Sequence, residues 1–552
     1  MTQALQAPDT RQAYDDAKVE NLGAVFTKRW VVETILDLAG YVETEDLAAA
    51  RAIEPAAGPG AFVTVMVERL VASCRSHGRA ISEAADAIAA FDIDPGSARS
   101  CRAAVVKILI RAGVRTEEAN RLAQRWVRSA DFLLVASAEP KARWVVGNPP
   151  YVRLEDVDKD VMAVYRKTWQ TMSGRADLYV GFLEAGLALL EEGGKLAVIC
   201  ADRWMRNRYG SALRALVERD FAVDACIIMH DVEAFEDPVA AYPAVLVFRK
   251  GDQRPALLCD TNGEFAAEGA ARLVSTFRSG PAPIREDPHF RHSWTAGWFK
   301  NVGSWPAASP ERLALLSTLE TGFPTLADAG VHVGVGVATG ADQVFITDEV
   351  DGIEPDRLLP AISAKEIRTG SIEWKGRSLV NPWSTDGLVA LDDFPGMRGY
   401  LAKHRTTLER RYVAQRKGAK WWRTIDRVDE DIARAAKLLV PDLKERIHPV
   451  LDTGTYYPMH NLYYITAPGW DLRVLGGLLL SDLVNLFVEA YSVRMANGYL
   501  RVSAQYLRKI HVPKFEDIAD AVREELATAF LTRDVHAAST AARSAYGLVV
   551  AS

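Results

Sequence analysis

Cysteine is scarce in this chain. The five present, Cys74, Cys101, Cys200, Cys226 and Cys259, are scattered, and no two sit at zinc-ligand spacing. An odd number also builds no disulfide framework, so no metal is expected and a reducing compartment is. The N-terminal stretch MTQALQAPDTRQAYDDAK lacks the apolar core of a signal peptide. Long hydrophobic runs are missing as well. The most apolar stretch, Val474 to Val493, carries Asp482, Asn485 and Glu489, which predicts a buried helix and no membrane span. Positive charge is not in excess. With a net charge of −6, any nucleic-acid site has to be a local basic patch on an acidic surface. Internal repeats and low-complexity tracts are absent.

What is present is an ordinary globular composition, 49% hydrophobic and 25% charged, in 552 residues. That is too long for one compact core and predicts two or three domains. Residues 1–20 are polar and predict a tail. From Thr27 to Arg249 short apolar runs alternate with longer segments of helical spacing. The runs are ARAIEPAAG, AIAAFDID, ADFLLV, RWVVGNPP, GKLAVICA, DACIIMHDV and AYPAVLVFRK. Strands alternating with helices predict an α/β fold over residues 21–255, with a Rossmann-like, doubly wound and mostly parallel sheet. The last two strands are expected to form an antiparallel edge. Residues 256–310, rich in Gly, Pro and Trp, predict a connecting region. Residues 311–552 predict a second, mixed α+β domain whose stretch 515–545 is a C-terminal helix.

Chemistry concentrates in the first half. IEPAAGPGAF follows an apolar run and opens a helical pattern; small residues at Ala56, Ala57, Gly58 and Gly60 let a ligand approach the backbone. Roughly thirty residues later AFDIDP places Asp92, with Asp94 as its rival, where an acid can bind a ribose hydroxyl pair. In ADFLL, Asp131 can accept from an adenine amino group and Phe132 can stack on the ring. Glu54 stands before the small-residue loop, where it would repel a pyrophosphate. A carboxylate there suits a sulfonium and an α-amino group, which favours S-adenosyl-L-methionine over NAD or FAD.

The stretch VVGNPPYVR ends a predicted strand in Asn-Pro-Pro-Tyr. Two prolines remove two backbone donors and stiffen the turn. Such a turn can aim the Asn148 oxygen and the Pro149 carbonyl at one amino group, while the Tyr151 ring stacks on a flat heterocycle. The sulfonium is already a good leaving group, so alignment supplies most of the barrier reduction and no strong base is required.

In this order GAVFT, EPAAGPGAF, FDID, ADFLL, NPPY and AFEDPVAAYPAVLVF resemble the gamma class of amino-group DNA methyltransferases, the Taq-type adenine-N6 enzymes. The resemblance covers residues 21–250 closely. It implies that Thr27, Glu54, Ala56 and Gly58 hold the methionine side of the cofactor and Asp92 its ribose. It assigns Asp131, Phe132 and Phe182 to the adenine, and Asn148 and Pro149 to the target amino group. Tyr151 and Phe235 become the two rings around a flipped base, with Tyr242 as rival to Phe235. The family usually carries Pro after its Thr, whereas this chain has Lys28.

Adenine's amino group lies inside the duplex, so such an enzyme rotates the nucleotide out, at a cost of a few kcal/mol. Stacking, worth about 1–3 kcal/mol per base, offsets it. The resemblance extends more loosely to a C-terminal target-recognition domain. From Leu401 to Arg427 nine Lys or Arg residues face only two acids, interleaved with Tyr412, Trp421 and Trp422. Arg410, Arg411, Arg416, Lys417, Lys420 and Arg423 are the expected contacts to double-stranded DNA. Implied with these are a bacterial cytoplasmic, nucleoid-associated protein, a monomer rather than an obligate oligomer, and a separate cognate restriction endonuclease as an optional partner. Alternatives remain. Pro355-Asp356 with Glu373-Trp374-Lys375 loosely matches a nuclease pattern, which would make the chain a combined restriction and modification enzyme. Protein-glutamine methyltransferases also use NPPY, cytosine N4 is chemically close to adenine N6, RNA is a further substrate class, and a decayed recognition subunit would be no enzyme.

Overall fold

A computed structural model describes residues 25–548, apart from 153–155, 175, 238–241, 282–286, 296, 300–303, 307, 369, 417, 445 and 493–499. The expected N-terminal tail and Lys417 lie outside the described residues. The chain divides into two compact units, Met1–Glu311 and Arg312–Ser552.

The first unit is built on a nine-stranded sheet. Its strands are β1 (Ala52–Glu54), β2 (Ile88–Asp92), β3 (Val127–Ser129), β4 (Ala142–Gly147), β5 (Leu190–Ala201), β6 (Phe221–Ile228), β7 (Pro243–Lys250), β8 (Ala256–Thr261) and β9 (Phe290–Thr295), in the order β3-β2-β1-β4-β5-β7-β6-β8-β9. From β3 to β5 all neighbours are parallel. Only β7 and β9 run against the rest. Strands buried on both faces read as unbroken apolar runs, as in residues 88–91 of β2 and 196–201 of β5. The fold is therefore α/β with a large, mostly parallel sheet.

Three details depart from expectation. The antiparallel strand β7 is not an edge; it lies between β5 and β6, and β8 and β9 extend the sheet beyond them. Residues 256–295, expected within a connecting region, supply those two strands and the helix Ala267–Ser279. ADFLLV is not a strand. The third strand ends at Ser129, and Asp131 caps the short helix Phe132–Val135 by accepting the Leu133 N–H at 3.0 Å. An Asp before an apolar run is an N-cap signal as much as a strand-end acid.

The second unit is mixed α+β. One four-stranded antiparallel sheet has the order His332–Val335, Leu462–Thr466, Lys437–Pro441, Val450–Asp452. A second combines Ile346–Thr347, Ser378–Val380, Leu358–Ile362 and Tyr457–Pro458. The apolar run from Val474 is two helices, Leu472–Leu480 and Asp482–Tyr491, bent by 61° at Ser481 and largely buried. Among the described residues no single helix is long and apolar enough to cross a membrane. The stretch 515–545 is likewise two helices, Asp520–Thr532 and Val535–Ala545, separated where Arg533 adopts φ +60°.

Candidate active site

Parallel pairing of β2, β1 and β4 brings Asp92, Glu54 and Asn148 to the carboxyl ends of adjacent strands. Ligands of open α/β sheets bind at that edge. A cleft of about 540 Å³ opens there, lined by Thr27, Ala56, Gly58, Asp92, Asp131, Phe132, Asn148, Pro149, Tyr151 and Phe182 among others. Glu54 and Phe235 stand behind this lining, 1% and 8% exposed.

The loop after β1 is held from below. Gly58, at φ +52°, donates its N–H to Asp92 Oδ2 at 2.7 Å. Asp92 Oδ1 accepts the Asp94 N–H at 2.8 Å. Asp94 itself caps the helix Pro95–Arg111, accepting from Gly96 and Ser97 N–H at 3.1 and 2.7 Å, and these bonds hold its carboxyl below the usual range. Asp92 shifts the other way because burial penalises its charge. Burial also pushes the Glu54 carboxyl up to about 8, aided by the Asp92 charge and opposed by the Ala56 N–H, which bonds Oε1 at 3.1 Å. Glu54 Oε2 is buried with no partner among the described residues. A buried carboxylate oxygen without a donor fits a cationic or amino ligand.

Asn148 is oriented by two acceptors. Its Nδ2 donates to the Val25 carbonyl and to Thr27 Oγ1, both at 3.2 Å. A backbone carbonyl can only accept, so this pair assigns the amide nitrogen to that side. Asn148 Oδ1 is left buried and without a partner among the described residues. Two features favour glycine before it, at Gly147: φ there is +158°, and a Cβ would fall 2.3 Å from Glu54 Oε1.

Thr27 is itself placed by the segment carrying Phe235. The two form an antiparallel bridge, flanked by Lys28 N–H to Ala234 O at 3.0 Å and Glu236 N–H to Phe26 O at 2.9 Å. Proline at position 28 could not make the first of these bonds. The Phe235 ring stands 6.3 Å from Tyr151, edge-on at 78°. Tyr242 instead packs on His230 at 5.0 Å and receives the Asp202 N–H on its carbonyl. The Tyr151 hydroxyl is buried without a partner among the described residues. At the other end of the cleft Phe132 and Phe182 stack at 5.6 Å and 27°.

Two neighbours escaped the sequence reading. Tyr179 stands 6.4 Å from Tyr151, and the Tyr165 hydroxyl donates to Asp131 Oδ2. Helical spacing of Val161, Met162 and Tyr165 signals a buried face, but carries no sign of which partner the hydroxyl meets.

In the second unit the basic stretch divides. Arg411 is half-buried and spends its guanidinium on the carbonyls of Thr339, Leu408, Trp421 and Arg423, at 2.7–3.0 Å, which makes it a clamp for its own loop. Arg410, Arg416 and Lys420 are exposed; Arg416 lies over Tyr412 and Lys420 over Trp422. Arg423 is half-buried over Trp383. Asp356 pairs with Arg357, and the Glu373 N–H bonds the Glu366 carbonyl. Among the described residues no three His, Cys, Asp or Glu gather to hold a metal ion.

Comparison with known proteins gives three results. The profile of the family described as Eco57I restriction-modification methylase matches residues 98–235. The Type II methyltransferase M.PaeR7I of Pseudomonas aeruginosa is 42% identical over 96% of this chain and 92% of its own, and M.XhoI of Xanthomonas vasicola is 39% identical over 95% and 97%. A solved structure described as the Type IIL restriction-modification enzyme MmeI in complex with DNA shares the fold, with a TM-score of 0.55 at 12% identity over 95% of this chain and 74% of that one.

Proposed function

This chain belongs to the Type II methyltransferases of restriction-modification systems, and we propose that it transfers a methyl group from S-adenosyl-L-methionine to adenine N6 within a short specific duplex sequence. The observation that carries this reading is the Asn148 amide. Its nitrogen is committed to Val25 and Thr27, and its buried oxygen has no partner among the described residues.

The donor set suits the cofactor. Glu54 Oε2 and the Gly58 loop take its amino-acid end, Asp92 its ribose, and Asp131 with the Phe132–Phe182 stack its adenine. When bound, the sulfonium supplies an electrophilic methyl. Asn148 Oδ1 and the Pro149 carbonyl accept the two hydrogens of the target amino group and free its lone pair for in-line attack. After transfer the extra amino proton leaves to solvent. Tyr151 and Phe235 hold the base once it has left the stack, and alignment lowers the barrier. Arg410, Arg416 and Lys420 contact phosphates and fix the duplex, while neighbouring side chains read base edges.

The test is labelled methyl transfer to duplex DNA, followed by nucleoside analysis. N6-methyladenine at one sequence is expected. Label on cytosine N4, or on a release-factor glutamine in place of DNA, overturns the reading.

A further inference from the structure

We propose that Tyr165 is a positioning residue for cofactor recognition: its hydroxyl sets the Asp131 carboxylate as an acceptor that selects a 6-amino purine over a 6-oxo purine. The inference rests on the reading of the cleft as a cofactor site.

Tyr165 lies on the helix Lys159–Thr168, which follows the NPPY turn and starts at Asp158, whose side chain accepts the Asp160 and Val161 N–H groups at 2.9 and 3.2 Å. The same helix is fastened to the helix that Asp131 caps. Trp169, its C-cap, donates Nε1–H to the Leu133 carbonyl at 2.9 Å, and Tyr165, 3% exposed, reaches Asp131 Oδ2. Tyr165 also lines the cleft.

Asp131 is thus gripped at both oxygens, by the Leu133 N–H on Oδ1 and by Tyr165 on Oδ2. An ionised carboxylate offers about four lone-pair sites, so two donors fix its rotation and leave acceptor capacity on each oxygen. Burial raises the Asp131 pKa, and the Tyr165 hydroxyl opposes that rise by bonding the charged form. A fixed carboxylate that only accepts rewards an amino group. It rejects a ring carbonyl, which brings a second acceptor to a buried site. A Tyr at this position therefore acts on discrimination at C6 of the purine, not on the methyl end of the site.

Calorimetric titration of the full chain with S-adenosylhomocysteine and with its 6-oxo analogue, S-inosylhomocysteine, tests this. The wild-type protein is expected to prefer the adenosyl ligand by about 100-fold or more. Tyr165→Phe keeps the ring and removes only the hydroxyl. It is expected to weaken the adenosyl ligand about fivefold to tenfold, to leave the inosyl ligand within about twofold, and to shrink the preference accordingly. In turnover the loss falls on the cofactor KM, with kcat retained. An unchanged preference, whether both ligands weaken together or neither does, overturns the role of Tyr165 while the cofactor reading stands. A wild-type protein that binds neither ligand overturns the cofactor reading and this inference with it.

Discussion

Thr27 and Asn148 are 121 residues apart in the chain and joined by a 3.2 Å hydrogen bond from the Asn148 amide to the Thr27 hydroxyl. With the Val25 carbonyl, that bond decides which end of the amide is left without a partner among the described residues.

Asn148→Ala removes the acceptor and is expected to lower kcat by about 100-fold or more, a loss comparable to deleting one preorganised polar group at a reacting centre. DNA affinity should stay within about twofold. Thr27→Val leaves the Val25 carbonyl to hold the amide and should cost only about threefold to tenfold. Single-turnover methyl transfer and DNA-binding titrations check both; equal losses for the two variants would refute the orientation argument.

The Glu54 shift predicts a pH dependence. Its folded pKa of about 8 lies above the value of about 4.3 for an exposed Glu. Its stabilising contribution is therefore complete below about 4.3 and is lost as pH rises through 8, because the unfolded chain releases its proton first. Asp92 and Asp131 shift in the same direction, so the informative quantity is a difference. Melting curves from pH 5 to 8 should fall less steeply for Glu54→Gln than for the wild-type protein. Binding of S-adenosylmethionine near pH 7 should release close to one proton in the wild-type protein and fewer in the variant, read by calorimetry in buffers of different ionisation enthalpy.

Gly147→Ala drives a methyl group to 2.3 Å from Glu54 Oε1 and 2.7 Å from Oε2. A stability loss of about 1–3 kcal/mol is expected from this overpacking, with cofactor binding lost alongside. Glu54→Ala made in the Gly147→Ala background should recover the part of the stability lost to the clash and none of the binding; the strain of a Cβ at φ +158° stays in both backgrounds. Additive losses in that double-mutant cycle would show that the two side chains do not compete for space.

Arg411→Ala breaks a guanidinium bonded to four backbone carbonyls and should destabilise the protein by about 2–4 kcal/mol. Arg410→Ala and Arg416→Ala should leave stability unchanged within about 0.5 kcal/mol. Each should reduce the slope of log K against log salt by about 0.9. Thermal melts and anisotropy titrations at several salt concentrations separate the two classes.

The motifs were legible because each is a local backbone device. EPAAGPGAF needs small residues for a turn with φ +52° at Gly58 and +110° at Gly60, and NPPY needs two prolines for a stiff one. The parallel strands β3, β2, β1 and β4 bring the ends that carry them to one edge of the sheet, in an order that differs from their order along the chain. Helix breaks were less legible. Ser481 and Arg533 split runs whose apolar spacing continues past them, because the break depends on what the helices pack against.

By itself the sequence determined the α/β class and located the acids that end β1 and β2, the Asn-Pro-Pro-Tyr segment after β4 and the Tyr151 ring. Each follows from residue type and spacing within a few positions. Only the tertiary structure decided that Phe235 and not Tyr242 stands beside Tyr151, that β7 enters the sheet between β5 and β6, that Arg411 clamps its own loop, and that Tyr165 bonds Asp131. Those outcomes join residues tens of positions apart or more, or depend on burial. Local spacing carries no record of which distant groups will satisfy a buried donor or acceptor.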